Sequence, residues 1–181
     1  MSNWKKLVLL GAAVLLMSGC AKPVEEGTEL LKENKFAEAQ EKFQDAVDKG
    51  KHTGEAYRGL GICYWEQENY AAAEKSFGLA LDNGAKETAT IYNLLGLCAL
   101  ETDKPEKAVF YFEEGQNFPD AGPELLQEMS FNLAAAYEKV GDWAAAKEKL
   151  KTYVELYPDD ARAAKELEFL NTQVPEKEDG E

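Results

Sequence analysis

The chain has 181 residues, with 34 Asp and Glu against 20 Lys and Arg, a formal net charge of −14, a single histidine and three cysteines. A surface of that sign repels nucleic acid phosphates and anionic lipid headgroups, so nucleic acid is excluded as a partner. One histidine and scattered cysteines give neither metal-ligand spacing nor a disulfide framework, and no cofactor is expected.

The first nineteen residues differ from the rest. Lys5 and Lys6 precede an apolar run, Leu7 to Leu16, too short for the ~20 residues that span a bilayer and suited to a secretory signal. It ends in Leu16-Met17-Ser18-Gly19-Cys20, which resembles the lipobox of bacterial lipoproteins. The resemblance implies removal of residues 1–19 and lipidation of Cys20, and so a palmitate-type anchor on the extracytoplasmic side of the bacterial cell envelope. That is the outer membrane in a diderm host and the outer face of the plasma membrane in a monoderm one. Two or three acyl chains, at ~0.8 kcal/mol per buried methylene, make such attachment permanent.

From there a motif recurs: a small residue, a second small residue twelve positions on, then a large apolar residue four later. The copies are Gly27/Ala39/Phe43, Gly61/Ala73/Phe77, Gly96/Ala108/Phe112 and Ala134/Ala146/Leu150. Steps of 34, 35 and 38 residues between them belong to stacked supersecondary units. Within the second copy Tyr57, Leu60, Gly61 and Tyr64, then Tyr70, Ala73, Phe77, Ala80 and Leu81, fall at helical spacings, so each unit is two antiparallel helices. Turns are predicted at Asn34-Lys35, Glu68-Asn69, Asp103-Lys104-Pro105 and Gly141-Asp142, with Pro105 in a helix's first turn. Glycine inside a helix costs ~1 kcal/mol relative to alanine. Gly61 and Gly96 are therefore expected to allow close backbone crossing.

The pattern resembles the tetratricopeptide repeat family. The matches are Tyr64 and Tyr137; Phe36, Tyr70 and Trp143; Phe43, Phe77 and Phe112; Ala46 and Ala80; and Pro158. The resemblance implies an all-α, right-handed superhelix of about four helix-turn-helix repeats, near 20–53, 54–87, 89–122 and 127–160, as one domain over 20–173. Pro23 and Glu26 should shorten the first helix, and Gly115 should weaken the end of the third repeat's second helix. The segment Asn117 to Pro123 reads as a loop, and a four-residue insertion lengthens the next helix, 123–140, by about one turn. After Pro158, Asp159 or Asp160 can cap a last helix over 160–173, with Ala163, Leu167 and Leu170 inward, closing the end of the array. Residues 174–181 form a charged tail expected to be disordered.

Cys63 and Cys98 occupy equivalent places in consecutive repeats and are expected to be buried, reduced thiols. No set of residues supports a reaction class, so no enzyme is expected. What remains is the concave surface. In the family it is lined by the first helix of each repeat, which here implies Arg58, Ile62, Trp65, Asn93, Leu97, Leu100, Phe131 and Asn132 as a partner-binding groove. Tyr57, Leu60 and Tyr64 already fill the inner stripe of their helix, so Ile62 and Trp65 either flank the core or floor the groove. Two functions are open. One is a membrane-anchored scaffold or adaptor binding a protein or peptide, for assembling an envelope complex. The other is a receptor-like lipoprotein holding a small molecule or cell-wall fragment in a closed pocket beside Gly59 and Trp65.

Overall fold

The computed structural model describes residues 22–174. The signal segment, Cys20 and the tail from 175 onward lie outside the described residues. Among the described residues the secondary structure is entirely helical, and no helix is long and apolar enough to cross a membrane. They form two compact units, 22–87 and 88–174.

The first unit holds α1 (Lys22–Lys32), α2 (Phe36–Asp48), α3 (Thr53–Glu66) and α4 (Tyr70–Asp82). Both predicted hairpin turns use one device. Asn34 and Glu68 take left-handed backbone angles, φ 59° in each, and the following N–H reaches back to the helix: Lys35 to the Leu30 carbonyl and Asn69 to that of Tyr64, both 2.9 Å. This pairing satisfies carbonyls that a helix end leaves open. Asn69 then caps α4, its side chain accepting from the Ala72 N–H at 3.3 Å, and so one short turn ends one helix and starts the next.

The core of this unit rests on aromatic rings lying against bare glycine. Phe43, fully buried, is held between Gly27 of α1 and Gly59 of α3. A Cβ at Gly27 would lie 2.9 Å from the ring, and one at Gly59 closer still. Phe77 sits against Gly61, where an added Cβ would come within 2.5 Å. The close crossing inferred for Gly61 is thus present, and Gly59 adds a second instance. Close packing of this kind leaves no room for one more methyl group. Gly54, at the start of α3, meets backbone instead: a Cβ there would lie 2.6 Å from the Ala85 nitrogen. Leu31, Ala39, Leu60 and Cys63 complete the cluster around Phe43. Burial pushes the Cys63 thiol up to about 12, so it stays a neutral, unreactive hydrophobe.

The second unit holds α5 (Ala89–Glu101), α6 (Pro105–Gln116), α7 (Pro123–Val140), α8 (Trp143–Leu156) and α9 (Ala161–Gln173). Its turns repeat the left-handed device at Asp103 (φ 55°) and Gly141 (φ 87°). Pro105 and Pro123 stand in the first turns of α6 and α7, where a missing N–H costs nothing. Thr88, Asp142 and Asp160 cap α5, α8 and α9 through their side-chain oxygens. Phe112 lies on Gly96 as Phe77 lies on Gly61, with an added Cβ again 2.5 Å away. Cys98 is buried and, like Cys63, outside any disulfide.

Gly115 does more than loosen a helix end. α6 continues to Gln116, and the bare face of Gly115 receives Met129 of α7, whose sulfur would lie 2.8 Å from a Cβ there. The connection before α7 is pinned at both sides: Phe118 stacks on Tyr92 with ring centroids 5.0 Å apart, and the Asp120 carboxylate accepts from the Ala89 N–H at 3.2 Å. Its 18 residues make α7 the longest of the described helices, in line with the extra turn inferred from the insertion. Ala163 and Leu170 of α9 are buried against α8, and Leu167 packs on the same cluster.

Candidate functional site

The predicted groove residues fall into two groups, one in each unit. In the first unit they are largely occupied with their own helices. Arg58 makes an ion pair with Glu55, one turn earlier on α3. Ile62 is half-buried and packs on the Phe43 cluster. Trp65 meets Tyr70 edge to face, centroids 5.1 Å apart. The space beside Gly59 is filled by the Phe43 ring, so the closed pocket that a small-molecule receptor would need there is taken up by core packing.

In the second unit, Leu97 and Leu100 are half-buried and pack on the α5–α6–α7 core, leaving part of each side chain at the surface. Asn93 is fully buried. Its side-chain Nδ2 donates to the Glu128 carboxylate of α7 at 3.3 Å, while its Oδ1 has no donor. A buried acceptor left in that state carries a desolvation penalty of about 1–3 kcal/mol. Phe131 and Asn132 lie in a hollow of about 200 Å³ together with Glu124, Gln127, Glu128, Tyr153 and Arg162.

The hollow is assembled by a chain of specific contacts. Arg162 of α9 lies over the Phe131 ring, its guanidinium carbon 3.8 Å from the centroid, a cation–π contact that also anchors the last helix. Phe131 meets Tyr153 edge to face at 5.6 Å. The Tyr153 hydroxyl donates to Asp160 at 2.8 Å and accepts from Gln127 Nε2 at 3.0 Å. The N-cap of α9, the floor of the hollow and the extended start of α7 are therefore one hydrogen-bonded structure.

Electrostatically this face is short of cations. Burial holds the Glu128 carboxyl up at about 7, with the Asn93 hydrogen bond pulling it partly back. Nearly three turns further along α7, Glu138 is also raised to about 7, first by burial and then by the charge of Glu166 of α9, with which it shares a hydrogen bond. Both shifts have the sign that burial of a carboxylate produces. Glu124, Glu128, Phe131, Ala135 and Glu138 recur at intervals of three and four residues, so they form one stripe along α7.

Sequence reasoning named Phe131 and Asn132 and missed Glu128, Gln127 and Arg162. Glu128 stands at the start of the fourth repeat, 127–160, and the stripe from 124 to 138 was available in the sequence. Arg162 carried no such signal, because a charged residue on a terminal helix is ordinarily solvated.

These features define an all-α helical-repeat protein with a polar, partly open inner face in its second unit. The sequence profile of the tetratricopeptide repeat matches residues 24–88 and 68–123, and a second profile of the same repeat matches 128–160. The chain belongs to the tetratricopeptide repeat family. No curated protein matches its sequence at a significant level. Among solved structures it is similar to YrrB, described as a TPR protein with an unusual peptide-binding site, with a TM-score of 0.76 and 19% identity over 86% of this chain and 77% of that one. It is also similar to MamA from Desulfovibrio magneticus RS-1, with a TM-score of 0.73 and 18% identity over 87% of each chain. A further MamA structure gives 0.71 and 16% identity over 84% of this chain and 81% of the other. At these identities the likeness is one of fold.

Proposed function

We propose that the protein is a non-enzymatic interaction scaffold, tethered by a lipid on Cys20 to the extracytoplasmic side of a bacterial membrane, that binds a partner protein on the inner faces of its first helices. The observation that carries the reading is the hollow at Phe131 and Asn132. It is open, has an aromatic floor, and is edged by side chains that can both donate and accept hydrogen bonds. Such a site suits an extended or helical segment of another protein rather than an enclosed small molecule. YrrB, with its peptide-binding site, is a protein of like fold.

Two experiments test it. Photo-crosslinkers placed in cells at Ile62, Leu97 and Phe131 should capture a defined protein, identified by mass spectrometry and confirmed with purified components. Crosslinkers at the exposed Lys75 and Lys107 should not. Equal capture from both sets removes the inner face as the binding surface. For the anchor, Cys20→Ala should leave the chain uncleaved or released from the membrane. Retention of acyl mass and membrane attachment by that variant rules the anchor out.

A further inference from the structure

The seam between α8 and α9 is aromatic at one end and basic at the other. Trp143 and Phe169 meet there edge to face, ring centroids 6.2 Å apart, and remain 39% and 45% exposed. Lys147 and Lys151 follow Trp143 at four-residue steps along α8, and Lys165 precedes Phe169 by one such step on α9, so each set lies on one helical stripe. The helices run antiparallel: Tyr153 bonds Asp160 at one end, and at the other Lys147 Nζ donates to the Val174 carbonyl at 2.7 Å. Lys165 therefore lies on the Lys151 side of Phe169. None of these three lysines has a carboxylate partner among the described residues, in a chain with 34 acidic residues. Exposed aromatic rings beside uncompensated cations mark a surface that something covers. We propose that residues 175–181 fold back along this seam, Pro175 over Trp143 and Phe169 and the acidic residues beyond it on Lys147, Lys151 and Lys165. They form a built-in strap that an acidic segment of another protein has to displace. The proposal stands apart from the inner-face reading, and it departs from the free tail that composition leads one to expect.

The order of chemistry along the tail matches the order along the seam. A residue before proline is kept out of the helical region, and Val174, which precedes Pro175, takes φ −128° and ψ 82°. The chain thus leaves α9 at the Lys147 ammonium, beside the aromatic pair. Pro175 comes first, and proline docks readily on aromatic surfaces. Glu176, Glu178, Asp179 and Glu181 follow, with Lys177 the one cation among them. The eight helical residues from Trp143 to Lys151 span about 12 Å at ~1.5 Å each. Five extended residues, 175–179, reach about 16 Å, enough to set Glu178 or Asp179 against Lys151 and Lys165. Lys147 keeps two further N–H donors after serving Val174. Glu148 and Glu168, next in sequence to Lys147 and Phe169, stand about 100° away around their helices. Each surface ion pair is weak alone, but the covalent tether holds the tail at an effective concentration of about millimolar.

The test compares the chain from Lys22 through Glu181 with one ending at Val174, both carrying Trp65→Phe so that Trp143 is the sole indole. Acrylamide quenching of Trp143 should be about twofold stronger in the shorter chain, with a red shift in its emission. Replacing Glu176, Glu178 and Asp179 by their amides, or Lys151 and Lys165 by glutamine, should raise quenching in the longer chain to the same level. Lys75→Gln and Lys86→Gln, at exposed positions of the first unit, should leave it unchanged. A fluorescein-labelled peptide of residues 174–181 should bind the shorter chain at least tenfold more tightly than the longer one, whose own strap competes. Matching circular dichroism melts keep the comparison among folded proteins. Equal quenching in the two chains overturns the proposal. So does protection of Trp143 that survives loss of the tail carboxylates, or that rises with protein concentration, the mark of a second copy on the seam.

Discussion

The two units are built from the same repeat and put their inner residues to different uses. In the first, the small residues of α1 and α3 are consumed by packing: Gly27 and Gly59 clasp Phe43, and Gly61 underlies Phe77. The polar and aromatic side chains left over, Arg58 and Trp65, are partnered within their own hairpin. In the second, only Gly96 keeps the ring-on-glycine contact with Phe112 among the first helices, and the inner face of α7 is polar. The first unit closes its core over its glycines and has its hollow, about 510 Å³, on the polar face of α2 at Gln40, Gln44 and Asp48, whereas the second has an aromatic-floored hollow of about 200 Å³, an orphaned acceptor and two raised carboxyls. Where packing is complete the repeat is scaffold, and where it carries uncompensated polar groups it is a candidate for recognition.

The largest effect that can break this comparison is expected at Phe43. Its ring is 1% exposed and sits between two glycines that have no side chains to move into a vacated space. Phe43→Ala should therefore cost about 3–5 kcal/mol, at the upper end for large-to-small core changes. Urea denaturation followed by circular dichroism measures it. A loss below about 2 kcal/mol would mean that α1 and α3 can close over the gap, and that the clasp is softer than its geometry implies.

Glycine substitutions sharpen the same point with opposite signs. Gly59→Ala places a methyl group inside the Phe43 ring, and overpacking of this kind costs about 1–3 kcal/mol. Gly78→Ala, in the middle of α4 with nothing within 4 Å of the added Cβ, should instead stabilise by up to about 1 kcal/mol through helix propensity. The pair is measured by the same denaturation. If both changes stabilise, Gly59 is not a packing glycine.

For the second unit the expected signature is pH. Glu128 and Glu138 have folded-state carboxyls at about 7 against an ordinary value of 4.5. Between those limits the folded chain binds more protons than the unfolded one, so stability falls as pH rises from about 5 to 7.5 and levels off above. Both groups are partly exposed, and solvent screening reduces the effect at Glu128 to about 1 kcal/mol. Glu128→Gln should flatten the slope, read as the change in Tm between pH 5.5 and 7.5, while Glu155→Gln leaves it. An unchanged slope in Glu128→Gln would place the strain elsewhere on this face.

These differences explain what the sequence disclosed. Hairpins, turns and the lengthened α7 follow from local rules, since periodicity, Pro105, Pro123 and the caps Asn69, Asp142 and Asp160 each act within a few residues. The roles of Gly59 and Gly115 depend on distances between helices, and the space beside Gly59, where a receptor pocket was one expectation, is filled by the Phe43 ring. Glu128 escaped because a carboxylate at the start of a repeat reads as solvated surface, and its contact, Asn93, lies thirty-five positions away on another helix. Arg162 escaped because its partner, Phe131, is thirty-one positions away on another helix. Local patterning discloses elements, and the site depends on which of their faces come together.

The smallest effect concerns the hairpin turns. Gly141 adopts φ 87° at no steric cost, whereas Glu68 holds φ 59° with a full side chain. A left-handed conformation costs an L-residue roughly 1–2 kcal/mol and glycine almost none. Replacing Glu68 by glycine also frees the unfolded chain, which offsets part of the gain. Glu68→Gly should therefore stabilise the protein by about 0.4–1 kcal/mol. Gly141→Ala, at the equivalent turn of the second unit, should destabilise it by at least as much. The sign of each change is the test, because the surroundings of a solvent-exposed turn contribute little else. Destabilisation by Glu68→Gly would mean that its side chain, rather than the backbone pairing of Asn69 with Tyr64, holds the first unit's second hairpin together.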